Sequence, residues 1–345
     1  VPPTPSRRPW WGRLLRALAI AYGVLATLGL VVVLALSDGH AVSYVLGLFA
    51  TWWLAPALVV VPVAAAFRSW RTLAAVLAPA VAAAAVLAPY ALHRLDPSDT
   101  TPDLRVATFN TTNWRGSGGL TDLVRGADAD IVLLQEIALS QQRGYVGEWP
   151  EYPYRSYTAI TGGAGAAGKG DGDAVWSKYP IVSVEPVTGL PAGARPADVV
   201  TVDVDGRAIA VISVHLASPC LLCSPRKIAE NPAGDTGDAA RVRVAEARRF
   251  GDLAESLREA GTAVVLGGDL NSAEFNEPLR ELRSHGLIDV HRAVGTQPGL
   301  TRGASPGFAR VDVVLVAGLE PVADQERDPG GSTHSPVVAD LAWPG

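Results

Sequence analysis

The stretch AVVLGGDLN, residues 263–271, is a short β-branched apolar run that stops at two glycines and closes on Asp269 and Asn271. Such a run, bounded by turn residues, reads as a strand with polar groups at its end. The form recurs upstream. RVATFN (105–110) closes on Asn110, DIVLLQE (130–136) on Glu136 and AVISVH (210–215) on His215. Two later runs reverse it: Asp312 opens DVVLV (312–316) and His334 opens HSPVVADL (334–341). If the last two strands run antiparallel to the first four, all these polar groups meet on one rim. A hydrophobic core alone does not require that arrangement. Further runs at 199–204 and 208–214 read as strands, and 239–260 as a helix with Phe250, Leu253, Ala254 and Leu257 on one face. Strands mixed with few long helices predict an α/β sandwich.

The residue types on the expected rim belong to one chemistry. Glu136, Asp269, Asn110 and Asn271 are hard oxygen donors suited to Mg²⁺, Mn²⁺ or Ca²⁺. His215, His334 and the carboxylate of Asp312 supply a base, its orienting partner and an acid. A divalent ion polarising a phosphoryl oxygen beside a His–Asp pair that activates water makes a phosphoester hydrolase. His40, His93, His285 and His291 fall in loops or near helix ends and read as structural or solvated.

The rest of the chain is of another kind. The 345 residues are 48% hydrophobic, yet residues 17–92 carry only Asp38, Arg68 and Arg71 as charges. Residues 17–36, 41–67 and 72–92 are uncharged runs of 20, 27 and 21 residues. Crossing about 30 Å of hydrocarbon takes roughly 20 apolar residues in a helix, so three transmembrane helices are expected. Arg7, Arg8, Arg13 and Arg16 precede the first run, and Arg68 and Arg71 separate the second from the third. The positive-inside rule puts those positions in the cytoplasm and everything after the third span outside the cytoplasmic membrane. The expected organisation is a transmembrane region at 1–94, a linker at 95–102 and an extracytoplasmic domain at 103–345.

That outer part holds 22 Lys/Arg and 31 Asp/Glu, a net charge of −9. A nuclease gains from a basic surface, so this charge disfavours nucleic acid as a partner. The arginines at 241, 243, 248 and 249 read as a solvated helix face. The two cysteines, Cys220 and Cys223, form a C-x-x-C pair without the further ligands of a zinc site, which leaves a local disulfide or two free thiols.

Taken in order, TFN (108–110), LQE (134–136), SVHL (213–216), GDLN (268–271), RVD (310–312) and THSP (333–336) resemble the endonuclease/exonuclease/phosphatase superfamily over about 240 residues. The resemblance implies a four-layer α/β sandwich with two central mixed sheets and metal-dependent hydrolysis of phosphate esters. It implies Glu136 as direct metal ligand with Asn110 nearby, and Asp269 and Asn271 positioning nucleophile and scissile phosphate. It further implies His334 as general base oriented by Asp312, and His215 as general acid or transition-state stabiliser. Asn110 and Asn271 would also touch the substrate. One position departs from the pattern: Thr333 stands where the superfamily usually has Asp. A hydroxyl brings no charge, which weakens any metal contact there.

The superfamily acts on many phosphate esters, and the fold does not choose among them. Three apolar spans with a short linker place the rim at the outer leaflet. That layout resembles the VanJ-type membrane proteins of teicoplanin resistance, and implies a lipid-linked cell-wall precursor, undecaprenyl pyrophosphate, as substrate. The alternatives are an outer-leaflet phospholipase or sphingomyelinase-like phosphodiesterase, an extracellular nuclease, or a weakly active lipid-binding module. The expected partners are a membrane lipid and the bilayer; the sequence points to no protein partner. The loop at 218–238 follows the His215 strand and is a candidate for substrate selectivity.

Overall fold

The computed structural model describes residues 10–95, 100–112, 124–138, 149–159, 171–303 and 307–345. Residues 96–99 of the expected linker lie outside them. The apolar helices come first: α1 (Trp10–Leu36), α2 (Ala41–Leu48), α3 (Ala50–Leu54), α4 (Pro56–Ala66) and α5 (Trp70–His93). Strands β1 (Leu104–Asn110), β2 (Ile131–Ala138), β3 (Tyr154–Ala159), β4 (Asp171–Ser177), β5 (Ile181–Pro186), β6 (Asp198–Val204) and β7 (Arg207–His215) follow. After them come α6 (Pro225–Glu230), α7 (Thr236–Glu259), β8 (Ala263–Asp269), α8 (Glu277–Ser284), β9 (Ile288–Asp289) and α9 (Val290–Val294). Strands β10 (Asp312–Ala317), β11 (Glu320–Glu326) and β12 (Val337–Ala342) complete the chain.

The strands form two six-stranded mixed sheets, ordered β11-β12-β1-β2-β4-β3 and β5-β6-β7-β8-β10-β9. Between them lies a core in which Val106, Leu133, Val211, Val265 and Val314 have no exposed surface. Burying each such side chain contributes about 1.5–3 kcal/mol. The second sheet is covered outside by α7 and α8 through Phe250, Leu279 and Leu282, and the first by a cluster around Trp149, Tyr152 and Trp176. This is the expected α/β sandwich.

The pairing builds the rim. β7 and β8 are parallel, with His215 opposite Asp269. β10 is antiparallel to β8, so its first residue, Asp312, also lies opposite Asp269. β1 is parallel to β2 and antiparallel to β12, which brings Asn110, Glu136 and the segment before β12 to the same edge. Strands β3, β4, β5 and β11 were not legible as apolar runs. β5 alternates half-buried with exposed residues, and β11 is similarly half-open.

Helices α1 and α5 are each long and apolar enough to cross a membrane. At 1.5 Å per residue their 27 and 24 residues span about 36–40 Å. They pack closely where Gly23 leaves no room for a side chain against the Ala75 backbone. The second apolar run differs from a single helix over 41–67. It breaks at Phe49, and α2 is bent by 67° from the helices that follow. The cause is a set of attachments to the sandwich. Asn276 donates to the Asp38 carboxylate at 3.0 Å and to the Tyr44 carbonyl at 3.1 Å. Phe49 stacks on Phe308 at 5.4 Å, and the Trp52 indole donates to the Phe308 carbonyl at 2.6 Å. A Cβ on Gly47 would come within 2.7 Å of the Asn276 amide nitrogen, so a larger residue there would displace the side chain that holds Asp38 and Tyr44.

Candidate active site

Local backbone distortion aims several of the rim side chains. Glu136 has φ +54°, and the register of β2 against β4 shifts between Leu134 and Ile137. A left-handed non-glycine residue costs roughly 1–2 kcal/mol. Here the bulge turns Glu136 out of the sheet and onto the rim. Asn271, at φ +48°, ends the turn after β8. Gly268 makes the close approach beneath Asp269 possible: a Cβ there would lie 1.8 Å from the Val214 carbonyl oxygen.

Six of the residues expected at the site come together. The Asn110 amide donates to Asp269 at 2.9 Å and to Glu136 at 3.4 Å, and its oxygen accepts from the Thr112 amide at 2.9 Å. In this arrangement Asn110 holds the two carboxylates in place. His215 Nε2 lies 3.5 Å from Asp269 and 3.8 Å from Glu136. His334 Nε2 lies 3.7 Å from Asp269, while its Nδ1 donates to Asp312 at 2.8 Å. Asn271 stands beside them: its amide donates to the Leu216 carbonyl at 3.0 Å, and its backbone N–H to Asp269 at 2.8 Å.

Surrounding hydroxyls lock the dyad. Thr301 Oγ1 accepts from the backbone N–H groups of Val311 and Asp312 at 3.1 and 3.0 Å. Ser332 donates to the Asn110 carbonyl at 2.9 Å and accepts from the His334 N–H at 3.1 Å. Burial works against a charge on His334, but the carboxylates of Asp312 and Asp269 outweigh it and push the imidazole up to about 9. Burial likewise raises the Asp312 carboxyl, against the pull of His334.

The donor set suits a hard divalent cation. Ligand atoms of Asp269, Asp312 and His334 lie within 4.8 Å of one another, and the Glu136 carboxylate remains partly open to the pocket. Oxygen-rich sites with one or two carboxylates are those that hold Mg²⁺ and related ions.

Four residues of the site carry no signal in the local sequence. Arg195, in the loop after β5, donates to His215 Nδ1 and, at 2.8 Å, to Ser218 Oγ. With Nδ1 accepting, the His215 proton sits on Nε2, toward the carboxylates. Asp173 on β4 is fully enclosed, and burial pushes its carboxyl up to about 7 despite the attraction of Arg195. Tyr44 donates to the Asn271 carbonyl at 2.9 Å. Arg302 donates to the Thr333 hydroxyl and, at 3.4 Å, to its carbonyl.

These groups surround a cavity of about 270 Å³. Its lining includes the titratable Glu136, His215, Asp269 and His334 and the apolar or aromatic Tyr44, Leu48, Leu221 and Phe308. The apolar part of the lining thus comes partly from α2. Cys220 and Cys223 are joined in a disulfide, and the loop that follows His215 reaches the cavity through Ser218, Pro219 and Leu221.

The arginines of α7 form no open basic face. Arg243 is buried, with its guanidinium 4.2 Å above the Tyr44 ring, and donates to the Ala217 carbonyl at 2.6 Å. Arg241 reaches the Gly39 carbonyl, Arg248 pairs with Glu277 and Glu281, and Arg249 donates to the Thr188 carbonyl. Among the other histidines, His291 is buried against Asp324 and His93 bonds the Gly295 carbonyl, both structural.

The profile of the Endonuclease/Exonuclease/phosphatase family matches residues 109–334. A curated relative, the inositol phosphosphingolipids phospholipase C of Saccharomyces cerevisiae, is 25% identical over 213 residues, which cover 56% of this chain. The match spans only 38% of that relative's length. Among solved structures, an endonuclease/exonuclease/phosphatase from Beutenbergia cavernae is similar with TM-score 0.52 and 21% identity, over 71% of this chain and 72% of that one. The catalytic domain of human Nocturnin is similar with TM-score 0.53 and 17% identity, over 72% and 97% of the two chains. These structural likenesses show the fold.

Proposed function

We propose that this chain, which belongs to the Endonuclease/Exonuclease/phosphatase family, is a membrane-anchored, metal-dependent phosphohydrolase whose substrate is a lipid-linked phosphate, undecaprenyl pyrophosphate. The observation that carries the lipid reading is the composite pocket. Its hydrolytic residues come from the sandwich, while Tyr44 and Leu48 of its lining belong to the bent apolar segment between two membrane-length helices. Arg7, Arg8, Arg13 and Arg16 at the N-terminal end of the first apolar run, and Arg68 and Arg71 between the second and the third, support a cytoplasmic N-terminus and an extracytoplasmic sandwich. The Cys220–Cys223 disulfide accords with an oxidising compartment.

The residues divide the work. A divalent cation held by Glu136 and Asp269 would polarise the scissile phosphoryl group and, by neutralising Asp269, lower the affinity of His334 for its proton. His334, oriented by Asp312, takes the proton of the attacking water through Nε2. His215, whose Nδ1 accepts from Arg195, directs Nε2–H toward the carboxylates to stabilise charge on the phosphoryl oxygens or to protonate the leaving group. Asn110 keeps the two carboxylates apart and oriented, and Asn271 shapes the pocket beside Asp269.

The test is phosphate release from undecaprenyl pyrophosphate by the full-length protein with Mg²⁺ or Mn²⁺, beside His334→Ala. Release by the native protein and its loss in the variant is the expected result. Absence of release by a protein shown to bind the metal discards this substrate. A second reading, an outer-leaflet phosphodiesterase acting on a phosphosphingolipid or phospholipid, is favoured by the similarity to the yeast phospholipase C. Release of a phosphorylated headgroup from lipid vesicles would select it.

A further inference from the structure

The lining of the pocket carries charges of both signs. Glu136 and Asp269 are carboxylates, and Arg302 is the one Lys or Arg among the described lining residues. Its backbone is fixed from both sides. It bridges to His334 in antiparallel fashion, its N–H donates to the Ala309 carbonyl at 2.9 Å, and its carbonyl accepts from Phe308 at 2.7 Å. The side chain, by contrast, has only Thr333 as a partner among the described residues, through one guanidinium nitrogen.

No carboxylate among the described residues lies within ion-pair distance of Arg302. The neighbouring arginines are all engaged. Arg310 is held by Asp289 and Glu274, Arg283 and Arg292 by Glu274, and Arg195 by His215 and Ser218. Arg302 would be neutralised by an acidic residue at position 333, but the residue there is a threonine, whose hydroxyl orients the guanidinium without cancelling its charge. The positive charge remains in force at the site, where it acts against protonation of His334.

A guanidinium has five N–H donors in a planar fork that matches a phosphate edge-on. Resting on the reading of this pocket as a phosphohydrolase site, we infer that Arg302 binds a second phosphoryl group of the substrate, adjacent to the one that is cleaved. The pocket thereby selects diphosphate esters over monophosphates. Water adds to the terminal phosphorus beside Asp269 and His334, and its proton passes to His334. The bridging P–O bond breaks, its electron pair staying on the phosphate held by Arg302, which leaves as the lipid monophosphate. Arg302 stabilises the charge that gathers on that leaving group.

The experiment compares farnesyl diphosphate with farnesyl monophosphate as substrates of the full-length protein, its Arg302→Gln variant and its Arg302→Lys variant. The ratio of kcat/KM for the diphosphate to that for the monophosphate should fall about 10- to 100-fold in Arg302→Gln, the range for losing charge-assisted bonds to a phosphate. Arg302→Lys, which keeps the charge but loses the fork, should fall in between. A ratio unchanged within about twofold would overturn the inference, because it would reduce Arg302 to a support for the His334 turn. If the protein turns over neither lipid, the proposed function fails first, and binding then decides on Arg302. With Mn²⁺ present, methylenediphosphonate should raise the melting temperature of the native protein more than methylphosphonate does. Arg302→Gln should erase that difference, and its persistence in the variant also overturns the inference.

Discussion

The inter-sheet core and the N-terminal helices use the same side chains in opposite surroundings. In the sandwich, Val106, Leu133, Val265 and Val314 are fully enclosed. On α1 and α5, Leu25, Val31, Leu77 and Val81 are 54–68% exposed. Exposed leucine and valine at this density mark a surface made for apolar contact, and both helices are long and apolar enough to cross a membrane. Where the two regions meet, neither pattern holds. The joint mixes the two: Leu48 and Phe49 pack with Val311 and Phe308, while polar bonds join Asp38 to Asn276, Tyr44 to the Asn271 carbonyl and Arg94 to the Thr296 carbonyl. The contrast teaches that the helical region takes part in building the site, because α2 contributes Tyr44 and Leu48 to the pocket lining.

The sharpest way to break this comparison is to set the rim against the exposed apolar surface of α1. Asp269→Ala removes the carboxylate that Asn110, His215 and His334 converge upon, and should lower kcat by about 10³-fold. Leu25→Ala, on an exposed stripe of α1, should leave phosphate release unchanged. Comparable losses in the two variants would show that α1 takes part in the chemistry.

A smaller effect is expected at the joint. Asn276→Ala leaves the buried Asp38 carboxylate without the amide that donates to it, which should destabilise the attachment of α2 by about 1–3 kcal/mol. Limited proteolysis around residues 37–40 and turnover on a soluble phosphate ester should report it together. Faster cleavage with unimpaired turnover would mean that α2 is not a working part of the lining.

The smallest effect concerns α5. Tyr90 packs on His291 at 4.9 Å, and His291 faces Asp324 and Glu326 of β11, with Arg310 nearby. Burial lowers the proton affinity of His291, but Asp324 more than reverses this and leaves its pKa raised above the ordinary 6.5. A raised pKa in the folded state means stability that is present below about pH 6.5 and lost as the pH climbs through the folded value. His291→Gln should therefore lower the melting temperature more at pH 6 than at pH 9. An equal loss at both values would show that the ring acts through packing alone.

Much of the site could be read along the chain because its signals are local. A strand reveals itself by a short β-branched run, and Asn110, Glu136, His215, Asp269, Asp312 and His334 each interrupt or border one. The antiparallel course expected for the last two strands follows from the chemistry, since only that course places Asp312 beside Asp269. Strands β3, β5 and β11 escaped because half-buried edge strands lack a continuous apolar run. The long apolar run at 41–67 concealed its break, because hydropathy counts residues and is blind to a bend.

By itself, then, the sequence determined the two classes of environment, the residue types on the rim and the chemistry those types support. All of these depend on spacing over fewer than about 30 neighbouring residues. Only the tertiary structure decided which partner sets each group's state. Arg195 selects the tautomer of His215 and Asp269 helps to raise His334, while Thr333 gives Arg302 a hydrogen bond and no counter-charge. Tyr44 reaches Asn271 across 227 residues of chain. Such pairings have no period and no fixed spacing. They arise when the sheets close and a folded rim brings distant side chains within hydrogen-bonding range.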